Sequence, residues 1–167
     1  MELYLLRHAI AVPHGTPGYA RDADRPLTAA GEQKMRRIAE GMQALELSFD
    51  LILSSPLTRA RQTAEITAKV FSNEKKLKFT DHLAVGGNMK ELIEELKSKY
   101  GSLGSILLVG HEPSLSQLIS LLISGDPDLS ITMKKGGLCK LTVDFLRLGR
   151  CATLEWLLAP GQMTRIG

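Results

Sequence analysis

The chain has 167 residues, a length that predicts one domain with a conventional hydrophobic core. Its 44% hydrophobic and 23% charged residues exclude a disordered, fibrous or repeat protein. The net charge of +3 arises from basic residues scattered among acidic ones, so nothing in it indicates nucleic-acid binding.

Short apolar runs alternate with amphipathic stretches along the chain. The apolar runs predict strands at 2–6, 50–54, 77–80 and 105–109, and a closing hairpin at 138–145 and 152–158. Helical spacing predicts helices over 28–45, 56–70, 90–100 and 111–125. Thr28 is the predicted N-cap of the first helix, and Ser55 before Pro56 that of the second. We therefore expect a single α/β domain over 1–167, a three-layer α/β/α sandwich with a mostly parallel, mixed central sheet.

Membrane segments, metal motifs and disulfides are not expected. The longest apolar runs are too short to cross a bilayer, and the N-terminus has no signal segment. Cys139 and Cys151 lie in the predicted hairpin, separated by roughly 20 Å at about 3.3 Å per residue, too far for a disulfide. The histidines and cysteines show no zinc spacing. We expect a cytoplasmic monomer that uses neither metal nor organic cofactor.

Unusual polar residues follow three of the predicted strands. Arg7 and His8 follow the first strand, Arg59 comes shortly after the second, and His111 follows the fourth. Ligands of open α/β sheets bind outside the carboxyl ends of the strands. If these strands are neighbours, two histidines and two arginines converge on one patch.

Such a patch suits a phosphoryl group. Arginine presents a planar, charged fork that matches phosphate oxygens, and Arg59 would lie in the first turn of a helix, where free N–H groups also favour an anion. A histidine with a free ring nitrogen can attack phosphorus and form a covalent intermediate. Arg7 and His8 cannot both face the site from a regular strand, so the strand must bend there.

Four segments, taken in order, resemble the histidine phosphatase superfamily, which also includes the phosphoglycerate mutases. They are Leu6–Ala9, Arg25–Thr28 with Gly31, Ser54–Ala64 and Gly110–Pro113. The small size and the forms of the first and last motifs look most like the SixA-type phosphohistidine phosphatases. Ala9 stands where the superfamily commonly has Gly, a change that this branch tolerates.

The resemblance implies a phosphoglycerate mutase-like fold and a role for each of the four residues. His8 would be the phosphorylated nucleophile, Arg7 and Arg59 would clamp the phosphoryl oxygens, and His111 would donate to them. Ser54 and Glu112 are further substrate-binding candidates, although Ser54 reads more simply as a strand-end residue and Glu112 as the beginning of a helix whose dipole favours an acid.

One departure from the superfamily bears on the substrate. In its mutases and broad phosphomonoesterases a carboxylate after the third strand protonates the leaving oxygen, but residues 82–90 contain no Asp or Glu. A positioned acid is worth about 10²–10⁴ in rate, and an alkoxide normally needs one. An imidazole protonated on its remote nitrogen leaves as a neutral amine, so the missing acid favours P–N over P–O cleavage. The carboxylates still available for this role are Asp22, Asp24, Asp81 and Glu112.

The sequence therefore predicts a metal-independent phosphatase that acts on a phosphohistidine of another protein through a covalent intermediate. Its small size predicts a shallow, open site. A small phosphomonoesterase or mutase acting on a sugar phosphate, nucleotide or phosphopeptide is the enzymatic alternative. A binding module that holds phosphorylated partners without turnover is the alternative from another class, and a metal-dependent hydrolase ranks below both.

Overall fold

The computed structural model describes residues 1–167 as a six-stranded sheet covered by helices on both faces. The strands are β1 (Glu2–Arg7), β2 (Leu51–Ser54), β3 (Leu77–Phe79), β4 (Ser105–Gly110), β5 (Leu138–Val143) and β6 (Ala152–Leu158). The helices are α1 (Ala29–Ala44), α2 (Thr58–Val70), α3 (Met89–Tyr100), α4 (Ser114–Ser124) and α5 (Pro160–Met163). No helix is both long and apolar enough to cross a membrane.

The sheet has the strand order β3-β2-β4-β1-β5-β6. The four strands from β3 to β1 are parallel, whereas β5 runs antiparallel to both β1 and β6. The mostly parallel, mixed sheet of an α/β sandwich is thereby confirmed. Strands β2, β4 and β1 are neighbours, which is the condition for their carboxyl ends to form one site.

Alternation along β1 divides its side chains between two hydrophobic cores. Leu3 and Leu5 face a core completed by α3 and α4, and Tyr4 and Leu6 face one completed by α1 and α2. Strand β4 is buried along its whole length, as expected for a central parallel strand covered on both faces. These two cores hold the strands whose ends carry the polar motifs.

Some predicted element boundaries are wrong. Helix α2 begins at Thr58 with Leu57 as its N-cap, so Ser55 and Pro56 lie outside the helix. Ser55 instead uses its hydroxyl in the site described below. Helix α4 begins at Ser114, after the segment 111–113, and α5 was not predicted. Both cysteines are free.

Thr28 is the N-cap of α1, as predicted, and ties this helix to the chain that follows β1. Its Oγ1 accepts a hydrogen bond from the Gly31 N–H at 2.9 Å, and its own N–H donates to the Ile10 carbonyl at 3.0 Å. The first turn of α1 thus packs against the backbone of Ile10, two residues after His8. Only glycine at position 31 permits this close approach.

Gly31→Ala should destabilise the protein. An alanine Cβ there would stand 2.1 Å from the Ile10 carbonyl oxygen. We expect this clash to lower the free energy of unfolding by about 1–3 kcal/mol, measured by urea denaturation. Gly161→Ala is the matched control, because no atom lies within 4 Å of its added Cβ. Equal stability of Gly31→Ala and wild type would contradict the close approach.

Candidate active site

The sheet's hydrogen-bond ladder continues past the strand ends and aligns the three polar junctions. Arg7 of β1 is in register with Gly110 of β4, and the next residue, His8, donates its N–H to the Gly110 carbonyl at 3.0 Å. On the other side of β4, the Ser55 N–H donates to the Val109 carbonyl at 2.9 Å. The backbone therefore places these junctions side by side.

The predicted side chains converge at these junctions. The His8 and His111 ring centroids are 5.1 Å apart, and Arg59 Nε donates to His8 Nε2 at 3.3 Å. Arg59 is buried in the first turn of α2, with its guanidinium extended to His8. Arg7 lies at the end of β1 and donates from Nη1 to the Met133 carbonyl at 2.7 Å.

The chain bends between Arg7 and His8. In a regular strand successive carbonyls point to opposite sides. Here the Gly136 N–H lies 3.1 Å from the Arg7 carbonyl and 3.2 Å from the His8 carbonyl. Both carbonyls therefore turn toward one donor, and His8 leaves the strand toward the site.

The His8 ring is held in one tautomer. Its Nδ1 lies 2.7 Å from the Ala9 carbonyl oxygen, which can only accept a hydrogen bond. Nδ1 must therefore carry the proton, which leaves a lone pair on Nε2. That lone pair is also what accepts the hydrogen bond from Arg59. His8 is thus a neutral imidazole with its nucleophilic nitrogen on the Arg59 side.

His111 is oriented by Ser55. Its Nε2 lies 2.8 Å from Ser55 Oγ, which also accepts a hydrogen bond from the Leu57 N–H at 3.2 Å. Ser55 Oγ can donate its hydrogen to Nε2, and in that arrangement Nδ1 of His111 carries the ring proton. That Nδ1 is buried and has no hydrogen-bond partner in the protein.

Two buried donors at this site lack partners. Arg7 Nε and His111 Nδ1 are the only fully buried side-chain nitrogen or oxygen atoms in the chain without a hydrogen-bond partner. Leaving such a group unpaired costs about 1–3 kcal/mol. Arg7 Nε is an N–H donor, and so is His111 Nδ1 when Ser55 donates to Nε2, so an anion with several acceptor oxygens suits both atoms. The site can therefore bind a phosphoryl group.

Both histidines are neutral in the folded protein. Burial lowers the pKa of His8 to about 3, although the hydrogen bond to Ala9 favours the charged form and acts to raise it. Burial, helped by the charge of Arg59, lowers the pKa of His111 to about 4. At neutral pH the fixed positive charges beside the rings are therefore guanidiniums, and His8 keeps its lone pair.

A carboxylate from the long loop before α1 completes the site. Asp22 Oδ2 accepts from Arg59 Nη2 at 3.0 Å, and its backbone carbonyl accepts from Arg59 Nη1 at 2.8 Å. The other oxygen, Oδ1, accepts from Arg25 Nε at 2.9 Å. Burial alone would raise the pKa of Asp22, but the Arg25 hydrogen bond and the charge of Arg59 lower it overall. Asp22 is therefore ionised at neutral pH.

The weaker predicted candidates make local contacts. The buried Ser54 hydroxyl donates to the Ser55 carbonyl at 2.9 Å. Glu112 Oε1 accepts from the N–H of Ser116, in the first turn of α4, at 3.0 Å. Asp24 pairs with Arg21. A role for Ser54 or Glu112 in binding substrate stays a prediction. The contact of Ser55 with His111 was not predicted from the sequence.

A family model described as the histidine phosphatase superfamily (branch 1) matches residues 3–84. An uncharacterized protein of Picosynechococcus sp. is 37% identical over 142 residues, which span 84% of this chain and 84% of that protein. The chain belongs to the histidine phosphatase superfamily. It is therefore a phosphatase, as the sequence predicted.

Other similarities of this histidine phosphatase concern its SixA-like fold. Phosphohistidine phosphatase SixA of Escherichia coli K12 is 24% identical over 161 residues, covering 96% of this chain and 94% of that protein. A structure of the protein histidine phosphatase SixA with tungstate has a TM-score of 0.83 at 22% identity, covering 98% of this chain and 99% of that one. Other matches are named as a probable phosphoglycerate mutase and a putative alpha-ribazole-5'-P phosphatase. These similarities thus identify the superfamily and the fold of this chain but not its substrate.

The neutral histidines make the stability of this histidine phosphatase depend on pH. Exposed histidine has a pKa of about 6.5, above the folded values of about 3 for His8 and about 4 for His111. Below pH 6.5 the unfolded chain therefore binds protons that the folded site does not. We expect the free energy of unfolding to fall from about pH 6.5 toward pH 4, by about 1.4 kcal/mol per pH unit for each histidine.

Urea denaturation across this pH range measures that slope. Carboxylates that titrate in the same range are common to wild type and His8→Asn, so the difference between the two slopes isolates His8. This difference should approach the slope for one proton, about 1.4 kcal/mol per pH unit. Parallel profiles would mean that His8 is not held neutral.

Ser55→Ala should disorient His111 of this histidine phosphatase. The variant removes the only hydrogen bond to the His111 ring, and small misplacements of catalytic groups cost up to about 100-fold. We expect kcat with p-nitrophenyl phosphate to fall about 10- to 100-fold. Ser54→Ala is the neighbouring comparison and should lower kcat less. A Ser55→Ala enzyme with wild-type kcat would show that Ser55 does not position His111.

Proposed function

We propose that this histidine phosphatase removes phosphate from a phosphohistidine of another protein through a phosphorylated His8, without metal or organic cofactor. The observation that carries the proposal is the pair of unpartnered buried donors, Arg7 Nε and His111 Nδ1, beside a neutral His8. A phosphoryl group offers three oxygens to such donors, and N–H groups from charged arginine make the stronger hydrogen bonds.

In the first step the His8 Nε2 lone pair attacks phosphorus, and the substrate's P–N bond breaks. Arg7, Arg59 and His111 hold the phosphoryl oxygens, where positioning and charge neutralisation supply most of the catalysis. The His8 ring becomes positive when it is phosphorylated. The Ala9 carbonyl, 2.7 Å from Nδ1, stabilises that charge without taking the proton.

In the second step water attacks phosphorus, and the bond to Nε2 breaks. The electron pair returns to Nε2, Nδ1 keeps its proton, and both water hydrogens leave with the product as dihydrogen phosphate. His8 is thereby restored to the tautomer in which it began. The enzyme thus hydrolyses a phosphohistidine of its own in every turnover.

The protonation states of the site favour a nitrogen leaving group. His8 and His111 are neutral at pH 7, and Asp22 is ionised, so none of these groups can donate a proton as an ordinary general acid. A protonated phosphoimidazole carries its own proton and leaves as a neutral ring. The phosphohistidine phosphatase named SixA in Escherichia coli, which matches almost the whole chain, supports the same substrate class.

The surface next to the site supports a protein substrate. Met133, whose carbonyl binds Arg7, is followed by the exposed residues Lys134 and Lys135. The turn closes at Gly136, which binds the Arg7 and His8 carbonyls. Two exposed positive charges therefore border the site, where they would attract an acidic, phosphorylated protein surface.

A substrate panel with trapping of the intermediate tests the proposal. In the presence of a chelator, wild type should hydrolyse a phosphohistidine protein faster than phosphoserine peptides or sugar phosphates. Denaturation during turnover should yield an acid-labile, alkali-stable phosphate on His8. His8→Ala should lose at least about 10³-fold in kcat while its circular dichroism and melting temperature stay near wild type.

Two results would contradict the proposal. Comparable rates on sugar phosphates would point to a general phosphomonoesterase, and substantial turnover by His8→Ala would remove His8 as the nucleophile. Tight phosphate binding without any turnover or labelling would indicate a binding module.

A further inference from the structure

Asp22 is the only carboxylate that contacts the catalytic group of four. Its Oδ2 is 3.0 Å from Arg59 Nη2, and no other Asp or Glu forms an ion pair or hydrogen bond with the four side chains of Arg7, His8, Arg59 and His111. The Arg59 side chain is 4% exposed and that of Asp22 is 39% exposed. Asp22 therefore links the buried Arg59 guanidinium to the protein surface.

The space beyond Asp22 is a surface cavity of about 380 Å³ formed by the loop before α1. Asp22 and Arg25 line it together with His14 and Tyr19. A substrate whose phosphate is bound by Arg59 has to carry the rest of its structure away from the buried His8. Asp22 borders both the clamp and this cavity, so its carboxylate is placed to meet the group attached to phosphorus.

A hydrogen bond that His8 already makes shows what a phosphohistidine substrate requires. During turnover His8 is phosphorylated on Nε2, and the Ala9 carbonyl holds the proton on its remote nitrogen, Nδ1. A substrate phosphohistidine is the same chemical group, but its P–N bond breaks where that of His8 forms. Its ring must keep the proton on the remote nitrogen while that bond breaks. An acceptor at that remote N–H would do for the substrate what Ala9 does for His8.

We propose that Asp22 accepts a hydrogen bond from the remote ring N–H of the substrate phosphohistidine and so keeps that ring protonated while phosphorus passes to His8. This inference rests on the proposed function. The step balances: His8 Nε2 forms the new bond to phosphorus, the P–N electron pair returns to the substrate nitrogen, and the remote proton stays on the departing neutral ring. Asp22 takes and gives no proton.

The negative charge of Asp22 suits a hydrogen-bond acceptor and excludes the role of general acid. Arg25 contacts Oδ1 through both Nε and Nη2, whereas Oδ2 accepts only from Arg59 Nη2 and so retains a further lone pair. Their hydrogen bonds and charges offset the burial of Asp22 and lower its pKa, so it is ionised at neutral pH. An ionised carboxylate stabilises a positive ring but cannot protonate an alkoxide.

The alternative is that Asp22 only holds Arg59 in place, and Asp22→Asn separates the two roles. The amide keeps an oxygen for Arg59 but loses the negative charge. Above the pKa of the phosphorylated substrate ring, we expect kcat/KM for a phosphohistidine peptide to fall about 10- to 100-fold, as expected for the loss of a charge-assisted hydrogen bond. With p-nitrophenyl phosphate, whose leaving group has no N–H, we expect a smaller loss than with the peptide, so that the ratio of the two activities changes.

The pH dependence gives a second readout. As the pH falls and solvent protonates the substrate ring, the phosphohistidine activity of Asp22→Asn should approach that of wild type. Inorganic phosphate should inhibit the variant at least as strongly as wild type, because one negative charge near the site is gone. Asp24→Asn is the matched control, since its ion pair with Arg21 lies outside the site, and it should behave as wild type.

The outcomes separate this inference from the proposed function. If Asp22→Asn loses the same factor on both substrates at every pH, or binds phosphate more weakly, then Asp22 only positions Arg59 and the inference is overturned. If wild type itself hydrolyses p-nitrophenyl phosphate but not the phosphohistidine peptide, the proposed function fails, and the role of Asp22 fails with it.

Discussion

The active site depends on three parallel strands whose hydrogen-bond ladder extends one residue past their ends. The N–H groups of His8 and Ser55 both donate to carbonyls of the central strand β4, at 3.0 and 2.9 Å. These bonds fix where His8 and the Ser55 hydroxyl stand relative to His111, which follows β4 directly. Because the positions come from backbone pairing inside two packed cores, the catalytic groups are pre-organised by the fold itself.

This pre-organisation has an electrostatic cost. Burial drives both histidines to their neutral forms, and the buried charge of Arg59 is stabilised by an ion pair with Asp22. Two buried donors have no partner in the protein. Such groups reduce stability, and functional sites are where proteins tolerate this loss. Here the same features serve catalysis, since a neutral imidazole can attack and unpaired donors are free to bind oxygen.

The sequence was sufficient for the strands and for the four residues that meet at their ends, because apolar runs mark buried strands and the junctions carry unusual polar residues. It was not sufficient for Ser55. Its contact with His111 follows from the register of β2 on β4, in which Ser54 pairs with Val109, and register depends on packing of the whole sheet. The loop before α1 has no periodicity, so the contact of Asp22 with Arg59 could not be read from spacing. Ser54 and Glu112 stand at strand and helix ends, where backbone groups of their own segments satisfy them.

The same protonation states explain how one small site can be selective without enclosing its substrate. With two neutral histidines, an ionised Asp22 and permanently charged arginines, the unliganded site offers positive charge to a phosphoryl group and holds no protonated acid among these residues. In the proposed reaction the rate would then depend on how well the leaving group departs unaided, which favours a protonated imidazole over an alkoxide. Selectivity of this kind needs no deep pocket for the leaving group. It is compatible with a substrate histidine presented on the surface of a much larger partner, because only the phosphorylated ring must reach His8.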